Sequence, residues 1–254
     1  NKLDKKVWTN NESGEKIHVN QLINDSEEGR FVASSIFENK NNFQLNNDSF
    51  AVLYRTNAQS RSIEDALRRK NIPYQVYGGL SFYQRKEIKD VLAYLRVIVN
   101  PSDEESIKRI INYPLRGIGQ STVEKLLIYS NENQITLFDT IKSINTIPIN
   151  LNLGTKNKLH DFFVLIKNFQ LLNENKNAFD IAKEVVNRLN IVNILKTDGS
   201  QESISRIENI EELINGIKDF VEGQKEVVGS YATLSEFLED VALASDLDKK
   251  ILII

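Results

Sequence analysis

The first part of the chain alternates between short apolar runs and amphipathic segments. Residues 16–22 (KIHVNQL) alternate apolar and polar side chains, as a half-buried strand does, and residues 50–54 (FAVLY) form an apolar run typical of a buried strand. Residues 74–77 show a similar strand pattern. Helix patterns separate these runs, one beginning near Asp25 and one at residues 62–70. Because strands alternate with helices, the sequence predicts a parallel sheet of α/β type.

The pattern changes after Gly79, where apolar residues recur at helical spacing. Residues 85–100 predict a long amphipathic helix, which Pro101 stops. A Ser, Thr or Asp followed three residues later by Glu indicates a helix start, because the two residues can cap each other's backbone N–H groups. This capping-box pattern occurs at Asp25/Glu28, Ser102/Glu105, Ser121/Glu124 and Thr233/Glu236.

The domain organisation follows from where the two patterns meet. Residues 79–250 are expected to form an all-helical domain, which is a common domain size. Residues 251–254 (ILII) return to the pattern of a buried strand. We therefore expect the helical domain to be inserted into an α/β domain, which occupies residues 1–78 and resumes its sheet at residues 251–254.

Composition narrows the class of protein. The chain has no cysteine and two histidines without ligand spacing, so the sequence predicts no disulfide and no metal site. It has no apolar run long enough to cross a bilayer and no signal-peptide pattern, which favours a cytoplasmic protein. The net charge is −3, but residues 54–125 hold 13 Lys/Arg against 8 Asp/Glu. A basic segment inside an acidic chain indicates a local phosphate-facing surface, although solvated helix faces give the same count.

Residues 54–61 (YRTNAQSR) leave one predicted strand and enter a helix. Open α/β sheets bind ligands at the carboxyl ends of their strands. Arg55, Asn57 and Arg61 would offer hydrogen-bond donors for phosphates and bases at such a strand end. An ordinary polar loop has the same composition, so the residues alone leave both interpretations open.

Residues 72–101 join the two predicted domains. Gly78 and Gly79 lie at the junction, where free choice of backbone angles permits a hinge. Arg85 and Lys86 follow two aromatic residues just before the long helix, and such a mixture can stack bases and pair with phosphates. The same aromatic residues can equally well have only a structural role and pack against the start of the helix.

Residues 112–126 (NYPLRGIGQSTVEKL) contain a glycine turn before a predicted helix. Backbone N–H groups from the Gly117-Ile118-Gly119 turn, with a helix N-terminus behind them, would form a phosphate site. Arg116 adds charge, and Ser121 is expected to cap the helix. A glycine pair before a helix is by itself a weak signal, since simple helix–helix linkers look alike.

The sequence lacks the residue patterns of several kinds of catalytic site. There is no G-x-x-x-x-G-K-[ST] phosphate loop, and two histidines offer no Ser/His/Asp or Cys/His arrangement. No spacing of Asp and Glu singles out an acid/base pair. The sequence therefore predicts no catalytic residue and no autonomous enzyme.

Taken together, the three segments resemble one family. YRTNAQSR, IPYQVYGGLSFYQRKEIKDVLAYLRVIVNP, PLRGIGQSTVEKL and SRIENIEEL occur here in the order typical of UvrD/Rep/PcrA superfamily-1 DNA helicases. The resemblance implies a partial RecA-like motor subdomain 2A at residues 1–78, a helical insertion 2B at 79–250, and a returning strand of 2A at 251–254. It also implies that ATP and Mg²⁺ act in the parent helicase, which moves 3′-to-5′ along DNA, and that none is bound by this chain.

The resemblance also implies roles for individual residues. Arg55 aligns with a single-strand-contacting arginine, and residues 116–122 align with the turn that grips duplex phosphates. Gly78 and Gly79 lie where 2B joins 2A. The expected partners are single-stranded DNA, duplex DNA and the missing 1A/1B motor half, with no membrane. The expected DNA-binding residues are Arg55, Asn57, Arg61, Arg85, Lys86, Arg116, Gly117, Ile118, Gly119, Ser121 and Thr122.

Two alternatives share these features. A free-standing duplex-binding adaptor would use the same glycine turn without a motor. A subunit of a helicase–nuclease of the RecB/AddA kind would share the same kind of motor, but its helical insertion would differ more from the family pattern. The sequence alone does not reveal the repair or replication pathway.

Overall fold

A computed structural model describes residues 8, 10, 12, 14–77, 79–228 and 231–251, and the side chains at 226–228 and 243–251 fall outside that description. Helices dominate the part of the chain so described. Their bounds are α1 Asp25–Phe43, α2 Ser60–Arg69, α3 Lys86–Val99, α4 Glu104–Ile110, α5 Gln120–Glu132, α6 Leu137–Lys142, α7 Leu153–Asn173, α8 Ala178–Arg188, α9 Ile191–Asp198, α10 Gln201–Val228 and α11 Leu234–Ile251. Short 3₁₀ turns occur at Asn47–Ser49, Asn57–Gln59 and Phe82–Gln84.

The predicted parallel sheet is wrong for the residues that the structure describes, since none of them forms a strand. Residues 50–54 and 72–76 run without helix or ladder, and residues 14–22 do the same. A strand of a doubly wound sheet is covered on both faces, whereas the side chain of Leu53 is 95% exposed. Within the described residues these apolar runs have no neighbouring strand to pair with.

The predicted return to a strand at residues 251–254 falls almost wholly outside the described residues. Ile251 is the last residue of helix α11, and residues 252–254 lie outside the described residues.

Helix starts follow local capping chemistry, though not always at the predicted residue. The Thr233/Glu236 capping box of α11 is confirmed: the Thr233 N–H donates to Glu236 Oε2 at 2.6 Å. At α1 the cap is Asn24, whose Oδ1 accepts the N–H of Glu27 at 2.9 Å. At α4 it is Asp103. Asn and Asp side chains one residue from the expected cap offer the same acceptor, so the helices begin nearby.

Apolar side chains form two separate cores. The larger is built around α3, which buries Val91, Leu92, Tyr94 and Leu95 and contacts α4, α7, α8, α10 and α11. The smaller lies between α1 and α2 and contains Ala33, Ile63, Ala66, Leu67 and Ile72.

Helices α1 and α2 cross at backbone contact distance. A Cβ at Gly29 would lie 2.3 Å from the carbonyl oxygen of Ser62, so only glycine fits at this position of α1. The 3₁₀ turn at Asn57–Gln59, just before α2, contacts α10.

Candidate nucleic-acid interface

The glycine turn predicted at residues 117–119 is present and leads into α5. Gly117 has a φ of 70°, a conformation that strongly favours glycine. Gly119 is the N-cap of α5, with φ −80° and ψ 163°. Both glycines are exposed, while Ile118 between them is 1% exposed and belongs to the larger core. Ile118 therefore anchors the turn, and the glycines face solvent.

Asn112 determines which backbone donors of the turn remain available. Its Oδ1 accepts the N–H groups of both Arg116 and Ile118, each at 3.0 Å. The N–H groups of Gly119, Gln120 and Ser121 have no acceptor among the described residues. These three donors form the N-terminal turn of a 13-residue helix, where the helix dipole favours an anion.

Ser121 and Thr122 lie in that first turn of α5. The prediction that Ser121 caps the helix is wrong, since the N-cap is Gly119 and no side chain caps this end. The exposed Ser121 hydroxyl is therefore not used in capping. The half-buried Thr122 donates its N–H to the carbonyl of Gly119 at 3.0 Å.

Arg116 is turned into the protein. Its Nη1 donates to the carbonyls of Ile110 at 2.9 Å and Tyr113 at 2.8 Å, and its Nη2 donates to the Tyr94 hydroxyl at 2.7 Å. The guanidinium also lies over the Phe162 ring, 5.4 Å from its centroid. Burial raises the pKa of Tyr94 to about 12 although Arg116 opposes the shift, so the hydroxyl stays protonated and donates to the Tyr113 carbonyl. Arg116 thus holds in place the chain segment that leads into the turn.

Two lysines bring positive charge to the turn. Lys158, on α7, places its Nζ 3.5 Å from the carbonyl oxygen of Gly117. Lys125, on α5, donates to the carbonyl of Asn150 at 3.2 Å. Both side chains are exposed. Sequence reasoning missed Lys158 because it lies 41 residues from Gly117 and outside the basic segment 54–125, and only the fold brings α7 to the turn.

The segment after residue 54 divides into an exposed and a buried part. Arg55 and Asn57 are exposed. The side chain of Gln59 folds back, and its Oε1 accepts the N–H of Arg55 at 2.9 Å and of Thr56 at 3.1 Å. This capping box shapes the loop at Arg55–Asn57 before α2 begins.

Arg61 is 5% exposed and pairs with carboxylates on α2 and α10. Its Nε donates to Glu212 Oε1 at 2.6 Å, and its Nη1 lies 3.2 Å from Asp65. Burial lowers the pKa of Arg61, but Glu212 and Asp65 outweigh it and the net shift is upward. Burial likewise raises the pKa of the Glu212 carboxyl, against the opposing effect of Arg61. Arg61 therefore joins α2 to α10.

Arg85 is 7% exposed and also faces inward, and burial lowers its pKa. Its guanidinium bonds to the loop at Asn57 and to Asn209 on α10. Its neighbour Lys86 is exposed. At the predicted hinge, Gly79 is exposed and Gly78 lies outside the described residues. The structure thus gathers Asn57, Arg61 and Arg85 around α10, and residues 116–122 around α3 and α7.

Comparison with known proteins gives the family. The profile of the UvrD-like helicase C-terminal domain matches residues 1–254, the whole chain. This chain belongs to the UvrD-like helicase C-terminal domain family. The resemblance drawn from the four sequence segments is confirmed.

Curated relatives of this UvrD-like domain are named ATP-dependent DNA helicase PcrA. The Bacillus subtilis protein is 36% identical over 249 residues, which cover 98% of this chain and 33% of the relative. The Staphylococcus aureus protein is 38% identical over 245 residues, covering 96% of this chain and 33% of the relative. The chain therefore spans about a third of the length of the curated relatives it matches.

Among the described residues, no group of three or more His, Cys, Asp or Glu side chains could hold a metal ion. The sequence lacks the phosphate-loop motif, so these residues do not fit Mg²⁺-ATP. No helix in the described ranges is long and apolar enough to cross a membrane.

Proposed function

We propose that this chain is the C-terminal part of an ATP-dependent DNA helicase and contributes two DNA contacts. The turn at Gly117–Gly119 and the start of α5 bind a duplex phosphate, and the loop at Arg55–Asn57 contacts single-stranded DNA. Family membership and the name shared by the curated relatives support the parent activity. They favour a helicase over a free-standing adaptor or a helicase–nuclease subunit.

The observation that carries the duplex contact is the set of three backbone donors at Gly119, Gln120 and Ser121, which lack acceptors in the described structure. Lys158 and Lys125 add charge beside them. Backbone N–H groups and lysines recognise phosphate oxygens, which carry no base sequence. Binding through this surface should therefore depend on salt and not on DNA sequence.

The single-strand contact rests on exposure. Arg55 and Asn57 present their side chains to solvent on a loop whose backbone is fixed by Gln59. Lys86 is a further exposed cation close in sequence to the buried Arg85. Arg61 and Arg85 are left out of the proposed DNA surface, because their guanidinium groups already bond to protein atoms.

The parent helicase would supply the remaining parts. ATP and Mg²⁺ are proposed to act there, where hydrolysis drives movement, together with the other motor subdomains. The helical insertion is proposed to span residues 79–250, with Gly78 and Gly79 as its hinge. Gly79 has open space around its α-carbon, and no atom lies within 4 Å of an added Cβ.

The duplex contact can be tested at a single backbone donor. Gln120 is the first residue of α5, where proline fits the helix and only removes an N–H. Gly119 before it has φ −80° and ψ 163°, a conformation that a following proline allows. We expect Gln120→Pro to weaken duplex binding roughly tenfold, since a hydrogen bond to a charged group contributes about 1.5–3 kcal/mol. Fluorescence anisotropy with a junction duplex measures this.

Gln120→Ala is the matched control, because it removes the same side chain and keeps the N–H. It should bind duplex like the parent chain, and circular dichroism should show equal helix content for both variants. Equal duplex affinity of Gln120→Pro and Gln120→Ala would show that the N-terminus of α5 does not hold a phosphate.

A further inference from the structure

Helix α10 is joined to the proposed single-strand loop through a buried polar relay. Asn209 on α10 is 3% exposed and uses both ends of its amide. Its Oδ1 accepts from Arg85 Nη1 at 2.8 Å, and its Nδ2 donates to Glu87 Oε1 at 2.6 Å. The two bonds fix the amide orientation, because Arg85 can only donate and the Glu87 carboxylate accepts.

The other end of the relay is the loop itself. Arg85 Nη1 also donates to the carbonyl of Asn57 at 2.7 Å, and its Nη2 donates to Ser60 Oγ at 2.8 Å. Ser60 Oγ in turn donates to the same Asn57 carbonyl at 3.0 Å. One guanidinium therefore holds the loop and α10 at once, and it lies over the Phe82 ring at 5.2 Å from the centroid.

A second bridge runs parallel to the first. Arg61, in the first turn of α2, pairs with Glu212 on α10, three residues after Asn209. Ser26 on α1 donates to Asp219 on α10 at 2.8 Å. These polar contacts cross between the elements of the smaller and the larger apolar core and tie the loop to α10.

We infer that Asn209 is a positioning residue for single-strand binding: it orients Arg85, which fixes the Asn57 carbonyl and so presents Arg55 to DNA. This inference rests on the proposed function of the loop. It assigns to α10 a control over a DNA contact that α10 does not itself make. A group held in the right geometry binds better because less ordering is needed on binding.

The test is Asn209→Leu, which keeps a similar volume and removes both hydrogen bonds. Arg85 then loses a buried acceptor, and the loop loses its link to α10. We expect single-strand affinity to fall about fivefold to twentyfold, with an unchanged slope of log affinity against log salt, because no phosphate contact is removed. Arg55→Ala should instead lower that slope by about 0.7, the share of one phosphate in single strands.

Two further variants separate positioning from damage. Asn215→Leu, at an exposed position of the same helix, should leave affinity unchanged. The exchange variant Asn209→Asp with Glu87→Gln should restore binding to within about twofold of the parent. The new carboxylate accepts from Arg85, the new amide donates to it, and the net charge is kept.

Hydrogen exchange of residues 55–60, measured without DNA, gives a readout independent of the proposed function. Faster exchange there in Asn209→Leu, with rescue in the exchange variant, supports positioning even if Arg55→Ala binds DNA normally and the DNA role fails. Unchanged exchange and affinity in Asn209→Leu would overturn the inference. If Asn209→Leu fails to fold, an exchange variant that folds but binds weakly would also overturn it.

Discussion

The side chain of Arg116 lies next to a turn that faces solvent, yet it donates to two carbonyls and a tyrosine hydroxyl inside the protein. Its planar guanidinium can satisfy several acceptors at once, which the single ammonium of a lysine cannot do with the same geometry. The positive charge of an arginine does not by itself show whether the side chain binds DNA. The hydrogen-bond acceptors that surround the guanidinium decide this.

Arg116→Lys should therefore destabilise the chain while keeping its charge. We expect a loss of about 2 kcal/mol in the free energy of unfolding, because a buried Tyr94 hydroxyl and two carbonyls lose a charged donor. Urea denaturation measures it. Arg96→Lys, at an exposed position of α3, is the control and should change the free energy little. If Arg116→Lys is as stable as the parent chain but binds duplex DNA more weakly, Arg116 is instead a phosphate ligand.

At the scale of elements, the helices after residue 79 were predicted well because their signals are local. An apolar stripe and a nearby capping residue determine a helix almost by themselves, as the Thr233/Glu236 pair of α11 does. Strands depend on partners that the local sequence does not specify. Residues 50–54 have the right side chains, but pairing decides whether such a run becomes a strand.

The residues of the candidate site also divide into those that a local pattern predicts and those that depend on distant partners. The turn at Gly117–Gly119 was predictable because a glycine pair before a helix is a local pattern. Lys158, Asn112 and Asn209 were not, because their roles depend on acceptors and donors brought together by packing. Arg61 and Arg85 looked like DNA ligands for a similar reason, since nothing near them in sequence reveals the carboxylate and amide on α10 that they bond to.

Helix α10 offers a matched pair of glycines for a test at this scale. A Cβ at Gly216 would lie 2.5 Å from Nη1 and 2.7 Å from Cζ of Arg61, while nothing lies within 4 Å of one at Gly223. Gly216→Ala should lower the free energy of unfolding by about 2–4 kcal/mol, because Arg61 must leave its buried partner Glu212. Gly223→Ala should raise it by about 0.5–1 kcal/mol through helix propensity.

Thermal melts followed by circular dichroism distinguish the two alanine variants. The contrast in sign controls for any general effect of adding a methyl group to α10. If both variants were stabilised alike, Arg61 would have an alternative position at little cost. The buried ion pair would then not fix α10 against α2.

At the scale of the whole molecule, the described residues form two apolar cores that are joined by polar contacts. The smaller core holds five buried apolar residues between α1 and α2, and the larger includes most helices from α3 onward. Interfaces of this polar kind open more readily than apolar ones, because separating them exposes less apolar surface. The smaller core should thus unfold locally while the larger stays intact.

Leu67→Ala and Leu92→Ala test this with one kind of substitution in each core. Leu67 is 5% and Leu92 is 2% exposed, so each change should cost about 2–5 kcal/mol where it acts. By hydrogen-exchange mass spectrometry, Leu67→Ala should speed exchange in α1 and α2 and leave α8 protected. Leu92→Ala should speed exchange in both regions. Equal loss of protection in α8 for the two variants would mean that the cores unfold as one unit.

Asn112 determines which N–H groups of the turn face solvent, and this affects the electrostatics of the whole surface. One amide oxygen draws two N–H groups inward, and the donors left facing solvent belong to the main chain, which every residue type carries. Such dipoles do not enter a sum of formal charges. A chain with a net charge of −3 can therefore still present donors for an anion at one point, and exchanging the exposed side chains of Gln120 and Ser121 would leave those donors in place.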